Sequence, residues 1–299
     1  MSNIQETITN KIVAAIEAGA GEFQMPWHRS GVCSALPHNP ISKNTYSGAN
    51  VISLWIEQKE RSYSSNQWAT YKHWQSVGAT VRKGEKAVHC AYFSQGLKTK
   101  QNEQGEDETR SFMFAKPFYL FNADQVEGYS ANGTPDTLPE NLVQRIENAD
   151  QAIKATGAEI IEGGQRAFYR PSTDAIYMPD QWRFRDGDGN NATQAYYSTL
   201  LHELTHWSGA ETRLNRIKGK RFGDDAYAFE ELVAELGAAF LCASLGIENE
   251  PRIDHAQYID GWLRVLNSNK NAIFSAASLA TKAMQFILKA EAQPETIAA

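Results

Sequence analysis

The sequence predicts an α+β fold: a mixed N-terminal domain with an antiparallel sheet and flanking helices, then a helix-rich domain with a short sheet. Three observations predict it. Residues 4–16, 195–207 and 224–246 carry apolar positions at helical spacing. Ala87–Phe93 and Gln165–Pro179 read instead as strands bounded by turn residues. A stretch rich in Gly, Pro, Ser and Asn at 128–140 reads as a linker. With 299 residues, 42% of them apolar, the chain has material for two ordinary domains, placed at 1–127 and 141–299.

The first helix is read from Ile4, Ile8, Ile12 and Ile16. The same segment lacks a basic stretch and a long apolar run, which argues against a secretory signal. Gln67, Trp68, Tyr71, Trp74 and Val77 have helical spacing, with Gly78 as a stop. Val81 to Lys86 is a basic turn feeding the strand Ala87–Phe93. Residues 100–110 are polar and acidic, a solvated loop or the tip of a hairpin. Gln165–Pro179 is a hairpin turning at Pro171–Asp174. Its second arm, Asp174–Pro179, is either a sheet edge open to an extended peptide or an ordinary packed strand. Residues 184–191 superficially resemble a calcium loop but lack its closing Glu, and read as a turn. Ala195–Trp207 has good helix formers, no Gly or Pro, and Gly209 behind it. The next helix takes Asp224 or Asp225 as N-cap and ends before Gly246, with Leu232, Val233, Leu236, Ala239 and Phe240 as its apolar stripe. His255, Tyr258 and Trp262 lie on a further helical stretch.

Composition excludes several classes. No apolar run nears the roughly 18–20 residues that span a bilayer, so no membrane partner is expected. Cys33, Cys90 and Cys242 are odd in number and form no CxxC, which excludes a disulfide framework and places the chain in the cytoplasm. The formal net charge of −6 hides a division. Residues 1–100 hold eleven Lys/Arg against six Glu, giving +5, and the remainder carries −11. The positive part is interleaved with Trp27, Tyr46, Trp55, Tyr63, Trp68, Tyr71, Trp74, Tyr92 and Phe93. Cations follow phosphates and rings stack on unpaired bases, which is what single-stranded nucleic acid requires. The alternative is that tryptophans at helical spacing are core.

The sharpest chemical signal is His202-Glu203-Leu204-Thr205-His206, an HExxH pattern. On a helix, positions i and i+4 share a face, so both imidazoles reach one ion. Glu203 is offset by one position, placed to act on water beside that ion as a general base. A catalytic ion needs a third protein ligand. Glu231 and Glu235 lie four apart on the next helix, in or beside its apolar stripe, where a carboxylate needs a partner. Glu231 is assigned as the third ligand, with Glu230 as the alternative, and Glu235 as acceptor for a histidine N–H. His255 or Tyr258 is the group to polarise a scissile carbonyl, unless both are packing residues. Zn2+ is the expected ion, although two His and a carboxylate also accept Mn2+ or another divalent metal.

Seven segments then carry a resemblance: PWHRSG, KNTYSGANVISLW, QWATYKHWQSVGATVRKGEKA, FNADQVEG, IYMPD, LLHELTHWSGAETRLNR and YAFEELVAELGAAFLCASLGI. Together, in this order and over nearly the whole chain, they resemble the ArdC family of plasmid antirestriction proteins. That family includes the N-terminal region of TraC-type conjugative DNA primases. The resemblance implies a single-stranded-DNA-binding domain at 1–127, a linker at 128–140 and a zincin-like metallopeptidase domain at 141–299. It implies protection of incoming plasmid DNA from host restriction during conjugation. By motif it makes His202, His206 and Glu231 metal ligands and Glu203 the catalytic-type glutamate. Lys43, Tyr46, Arg82, Lys83 and Lys86 are the candidates for DNA contact. Expected partners are single-stranded DNA, with double-stranded DNA also open, and host restriction enzymes. Two other functions compete: a non-enzymatic DNA-occluding protein with a structural or vestigial metal, and a general cytoplasmic metallopeptidase.

Overall fold

A computed structural model describes residues 4–22, 25–28, 35–101, 107–129, 142–184, 192–216, 225–249 and 256–288. Helix α1 (Ile4–Gly19) follows the predicted stripe, burying Ile8, Ile12 and Ile16 together with Val13. Lys11 on this helix pairs with Glu57, which is buried on α2 (Ala49–Glu60). Arg61 reaches the same carboxylate at 2.5 Å. Two cations on one buried carboxylate offset its desolvation and tie α1 to α2.

The residues read as one helix from Gln67 to Val77 divide. Trp68–Ala69 form strand β1, and only Tyr71–Ser76 form helix α3. Thr70 decides the split: its hydroxyl oxygen accepts from the His73 N–H and caps the helix there. The residues before the cap are taken by strand pairing, Trp68 opposite Asn122 and Ala69 opposite Phe121. Trp68 and Ala69 are both fully buried, so no alternation marks them as strand.

Strand β2 (Thr80–Val81) pairs antiparallel with β5 (Val126–Glu127). Between them β3 (Val88–Gln101) and β4 (Asp107–Asn122) form a long antiparallel hairpin, in register from Val88 opposite Leu120 to Gln101 opposite Asp107. The described residues of that stretch, 100–101 and 107–110, therefore lie on the paired arms of a hairpin, and the sheet order is β1-β4-β3.

The second half opens with α4 (Leu142–Thr156) and a three-stranded sheet of order β6-β8-β7. Strands β6 (Glu159–Glu162) and β7 (Phe168–Arg170) flank β8 (Ala175–Met178), parallel and antiparallel respectively. The hairpin turns at Pro171–Asp174, with Asp174 at φ 51° in the left-handed region that Asp tolerates. Of the two readings of Asp174–Pro179 the packed strand holds: β8 lies between β6 and β7, which are the two outer strands. Among the described residues four helices follow: α5 (Ala192–Ser208), α6 (Asp225–Leu245), α7 (Ala256–Ser268) and α8 (Ala272–Leu288). Cys33, His255, the turn at 185–191 and residues 130–140 of the linker lie outside the described residues. Among the described residues no helix is long and apolar enough to cross a membrane.

The main core draws on both halves of the sequence. Ile12, Ile16, Trp27 and Trp55 cluster with Leu232, Leu236 and Phe240 of α6, Trp262 of α7 and Ile273 of α8. Trp55 meets Phe240 with ring centroids 5.9 Å apart, and Trp27 meets Trp262 edge-on at 5.8 Å. A second cluster joins α5 to the β6-β8-β7 sheet and to α4, through Ile153, Ile176, Met178, Leu200, Leu201 and Leu204. Helix α5 thus lies under the sheet on one side and against α6 on the other.

Candidate metal centre

Gly237 brings α6 onto α5. A Cβ built there would lie 2.4 Å from Thr205 Cγ2 and 2.8 Å from its Oγ1, so only glycine permits this approach. Thr205 lies between the two histidines of the HExxH turn, and its hydroxyl is committed to the Leu201 carbonyl at 2.8 Å. The close crossing places the carboxylates of α6 against the imidazoles of α5.

His202, His206 and Glu231 converge. The two Nε2 atoms are 3.2 Å apart. Glu231 sets one oxygen 3.6 Å from His202 Nε2 and the other 3.5 Å from His206 Nε2. A tetrahedral ion with bonds of about 2.0–2.1 Å has a ligand–ligand edge of about 3.3–3.4 Å, so this spacing fits one ion. Octahedral ions with slightly longer bonds have a similar edge between adjacent ligands, so the spacing does not distinguish manganese from zinc.

The other face of each ring is engaged by a carboxylate. Glu230 lies 3.3 Å from His206 Nδ1 and is itself held by Arg216 Nε at 3.2 Å. Arg216 also donates to Ser208 Oγ at 2.9 Å and to the Thr205 carbonyl. Glu230, the alternative ligand, therefore stands behind a histidine rather than beside the Nε2 pair. Glu235 lies 3.5 Å from His202 Nδ1. With Nδ1 facing a carboxylate, each imidazole turns Nε2 toward the shared point. Glu203 lies at the rim, its Oε2 accepting the Tyr169 backbone N–H of β7 at 2.9 Å.

Electrostatics agree with a cation here. Burial opposes charge on His206, yet Glu231, with hydrogen bonds to Glu230 and Glu231 and the charge of Glu203, raises its pKa to about 10. Burial also opposes charge on Glu231, and His206 and His202 hold it well below the usual carboxylate range. The carboxylates demand positive charge between the rings; a divalent ion supplies it while both imidazoles stay neutral.

Tyr258 stacks on Trp262 with centroids 6.2 Å apart, and its hydroxyl lies 3.4 Å from that of Tyr227. Burial, the charge of Glu231 and hydrogen bonds to Tyr258 and Glu231 all push the Tyr227 phenol far above its usual range. Tyr227, which was not singled out from the sequence, thus faces both Glu231 and Tyr258.

Residues 147–279 match the family described as zincin-like metallopeptidase, and residues 2–121 match the N-terminal domain of anti-restriction factor ArdC. The chain is 42% identical to an uncharacterised protein of Sinorhizobium fredii, y4eC, over 93% of this chain and 89% of that protein. It is 36% identical to the crystal structure of metal-free antirestriction protein ArdC from plasmid R388, with a TM-score of 0.74 and 95% and 96% of the two chains covered. The chain belongs to the ArdC antirestriction family. A Mn(II)-bound structure of the R388 ArdC protein matches at 34% identity and TM-score 0.72, covering 97% of this chain and 99% of that one. The DNA primase TraC of Escherichia coli is 35% identical over 96% of this chain, which spans 27% of that longer protein.

In this ArdC-family chain the residues singled out for DNA contact have mixed surroundings. Lys43, Arg82, Lys83 and Lys86 are exposed, and Arg82 donates to Glu85 at 3.1 Å and to the Asp124 carbonyl. Tyr46 is half-buried, donating its hydroxyl to the Trp68 carbonyl at 2.9 Å and stacking on Phe118. Trp27, Trp55, Trp68 and Trp74 are fully buried, which decides for core over base stacking at those positions. Open rings lie elsewhere. Tyr119 is 49% exposed on β4, with His89 opposite it in register and their rings 5.1 Å apart. Two residues along, Phe121 meets the exposed Tyr71 at 6.3 Å. Period-two alternation along β4 carries the signal for this row, since Leu120 and Asn122 point into the core between and beside its members.

Proposed function

We propose that the protein shields incoming plasmid DNA from restriction, binding single-stranded DNA through 1–127 and cleaving a peptide bond at a metal centre in 141–299. The observation that carries it is the meeting of two Nε2 atoms and Glu231 beside Glu203, whose carboxylate is held by a backbone N–H of an edge strand. His202, His206 and Glu231 would hold the ion, zinc or manganese. A bound divalent ion supplies Lewis acidity, polarising a carbonyl and making water acidic near neutral pH. Glu203 takes the proton of that water and returns it to the departing amine. The Tyr169 N–H orients Glu203 for this and ties it to β7, one of the two outer strands of its sheet. A peptide laid along that edge has its backbone beside Glu203.

For the DNA side, support comes from the +5 charge of residues 1–100 and from the exposed Tyr71, His89 and Tyr119 row. The setting is the cytoplasm, where restriction enzymes meet incoming DNA and would be the peptide substrate. The test measures restriction protection, oligonucleotide binding and metal content for wild type and Glu203→Ala in parallel. The expected result is a variant that keeps metal and DNA binding but loses protection. Full protection by that variant would reject the proteolytic route and leave DNA occlusion around a structural ion.

A further inference from the structure

We propose that Trp27 and His28, from the N-terminal half, are positioning residues for the metal centre: they hold Glu235 so that it fixes His202 with Nε2 turned inward. The inference rests on the metal-centre reading above and adds to it a contribution from outside the zincin-like region. Glu235 is buried on α6, and its Oε1 receives two N–H groups that lie more than two hundred positions away in sequence. Trp27 Nε1 donates at 3.2 Å and His28 Nε2 lies at 3.1 Å. The side chains of His28 and Glu235 are 0% and 3% exposed, so solvent does not compete for these bonds.

The protonation of His28 follows from its other nitrogen. Its Nδ1 accepts the backbone N–H of Met25 at 2.9 Å, so it carries no proton. The ring proton is therefore on Nε2, and His28 donates to Glu235. Two donors on Oε1 fix the plane of the carboxylate and leave Oε2 facing His202 Nδ1 at 3.5 Å. An imidazole that ligates through Nε2 keeps its proton on Nδ1, and Glu235 Oε2, 3.5 Å away, is the carboxylate oxygen set toward that proton. The Trp27 ring packs edge-on to Trp262, a role that phenylalanine could fill; the indole N–H is what reaches the carboxylate. The two ligands are thus oriented differently. His206 takes its acceptor, Glu230, from α6 and Arg216, within the zincin-like region, whereas the support of His202 comes from residues matched to the ArdC N-terminal domain.

The experiment titrates full-length wild type, His28→Phe, His28→Gln, Trp27→Phe, Glu235→Ala and the double variant His28→Phe/Glu235→Ala with Zn2+ against a chromophoric chelator. Each is also loaded with Co2+ for its visible absorption, and its metal-free melting temperature is recorded. His28→Phe and Glu235→Ala should each weaken Zn2+ binding about tenfold and alter the Co2+ band. His28→Gln, which keeps an N–H at similar reach, should retain affinity and spectrum. Trp27→Phe keeps the core filled and loses one N–H, so it should weaken binding measurably, though less than His28→Phe, without unfolding. The double variant should bind no more weakly than Glu235→Ala, because His28 acts through Glu235. Should His28→Phe not fold, Trp27→Phe and His28→Gln decide. Wild-type affinity in folded variants lacking a donor, or additive losses in the double variant, would overturn the proposal alone. A wild type that takes up no Zn2+ would overturn the metal reading with it.

Discussion

At the scale of single residues, the groups around Glu203 form a chain of support. Arg213 donates to Asp174 at 2.9 Å and 2.5 Å, to the Tyr169 hydroxyl at 3.2 Å and to the Trp207 carbonyl at 2.7 Å. Its guanidinium also lies 3.9 Å from the centre of the Trp207 ring. It joins the end of α5 to β7, whose Tyr169 N–H holds Glu203. The hydrogen bond from Arg213 holds the Asp174 carboxyl below its usual range, against a smaller contrary effect of burial. A carboxylate with a depressed pKa stabilises the fold above its unfolded pKa and loses that contribution as pH falls through the folded value. Asp174→Asn should therefore lower the melting temperature at pH 7, and the deficit should shrink toward pH 3. With the Asp174 side chain 53% exposed, the pair is worth at most about 1 kcal/mol. A deficit that stays constant with pH would sink this assignment. HExxH was legible because spacing alone puts His202 and His206 on one face, and Glu231 and Glu235 because carboxylates in an apolar stripe need partners. Trp27 and His28 were not, since no local pattern connects residues 208 and 207 positions from Glu235.

At the scale of elements, the α5–α6 crossing sets the distances between His202, His206 and Glu231. A methyl group at Gly237 would meet the Thr205 side chain at 2.4 Å, far inside van der Waals contact. Thr205 has little freedom to turn away, because its hydroxyl is bound to Leu201 and it is fully buried. Gly237→Ala should force the helices apart at a cost of about 1–3 kcal/mol. Because Glu231 and Glu235 ride on the same helix, Zn2+ affinity should fall with the melting temperature. Calorimetry of metal binding beside thermal denaturation checks this; a destabilised variant with unchanged affinity would show that the centre tolerates a shifted helix. Strand and helix boundaries were less readable than the helices that carry His202, His206 and Glu231. Trp68 obeys helical spacing with Tyr71 and Trp74, yet Thr70 caps the helix after it and β4 claims it by pairing. Whether the Asp174–Pro179 arm is an edge or a packed strand was not legible, because sequence order does not give sheet order: the parallel pairing of β6 puts β8 in the middle.

At the scale of the whole molecule, two charge-divided halves share one core. The +5 and −11 of the sequence and the two matched regions, 2–121 and 147–279, both point to separate tasks. Packing does not follow that division. Ile12, Ile16, Trp27 and Trp55 cover α6, α7 and α8, and each such buried side chain contributes on the order of 1.5–3 kcal/mol. Gly48 N–H also donates to Thr281 on α8, and Thr9 on α1 donates to the Lys270 carbonyl, at 3.1 Å and 2.7 Å. Contacts of this kind have no signature in periodicity, since an apolar stripe reveals that a helix is covered but not by what. The full chain should therefore melt in a single cooperative transition. A fragment of residues 141–299 would expose the faces of α6–α8 that α1, α2 and Trp27 now cover. It should bind a hydrophobic dye, melt at a lower temperature and hold Zn2+ more weakly, because Glu235 would lack both of its N-terminal donors. Thermal denaturation, dye fluorescence and metal titration of fragment and full chain measure all three. A soluble fragment with the stability and affinity of the full chain would mean that the N-terminal half is cargo on an independent zincin-like domain. Loss of affinity together with stability would mean instead that the region bearing the DNA-contact candidates also helps to build the metal centre.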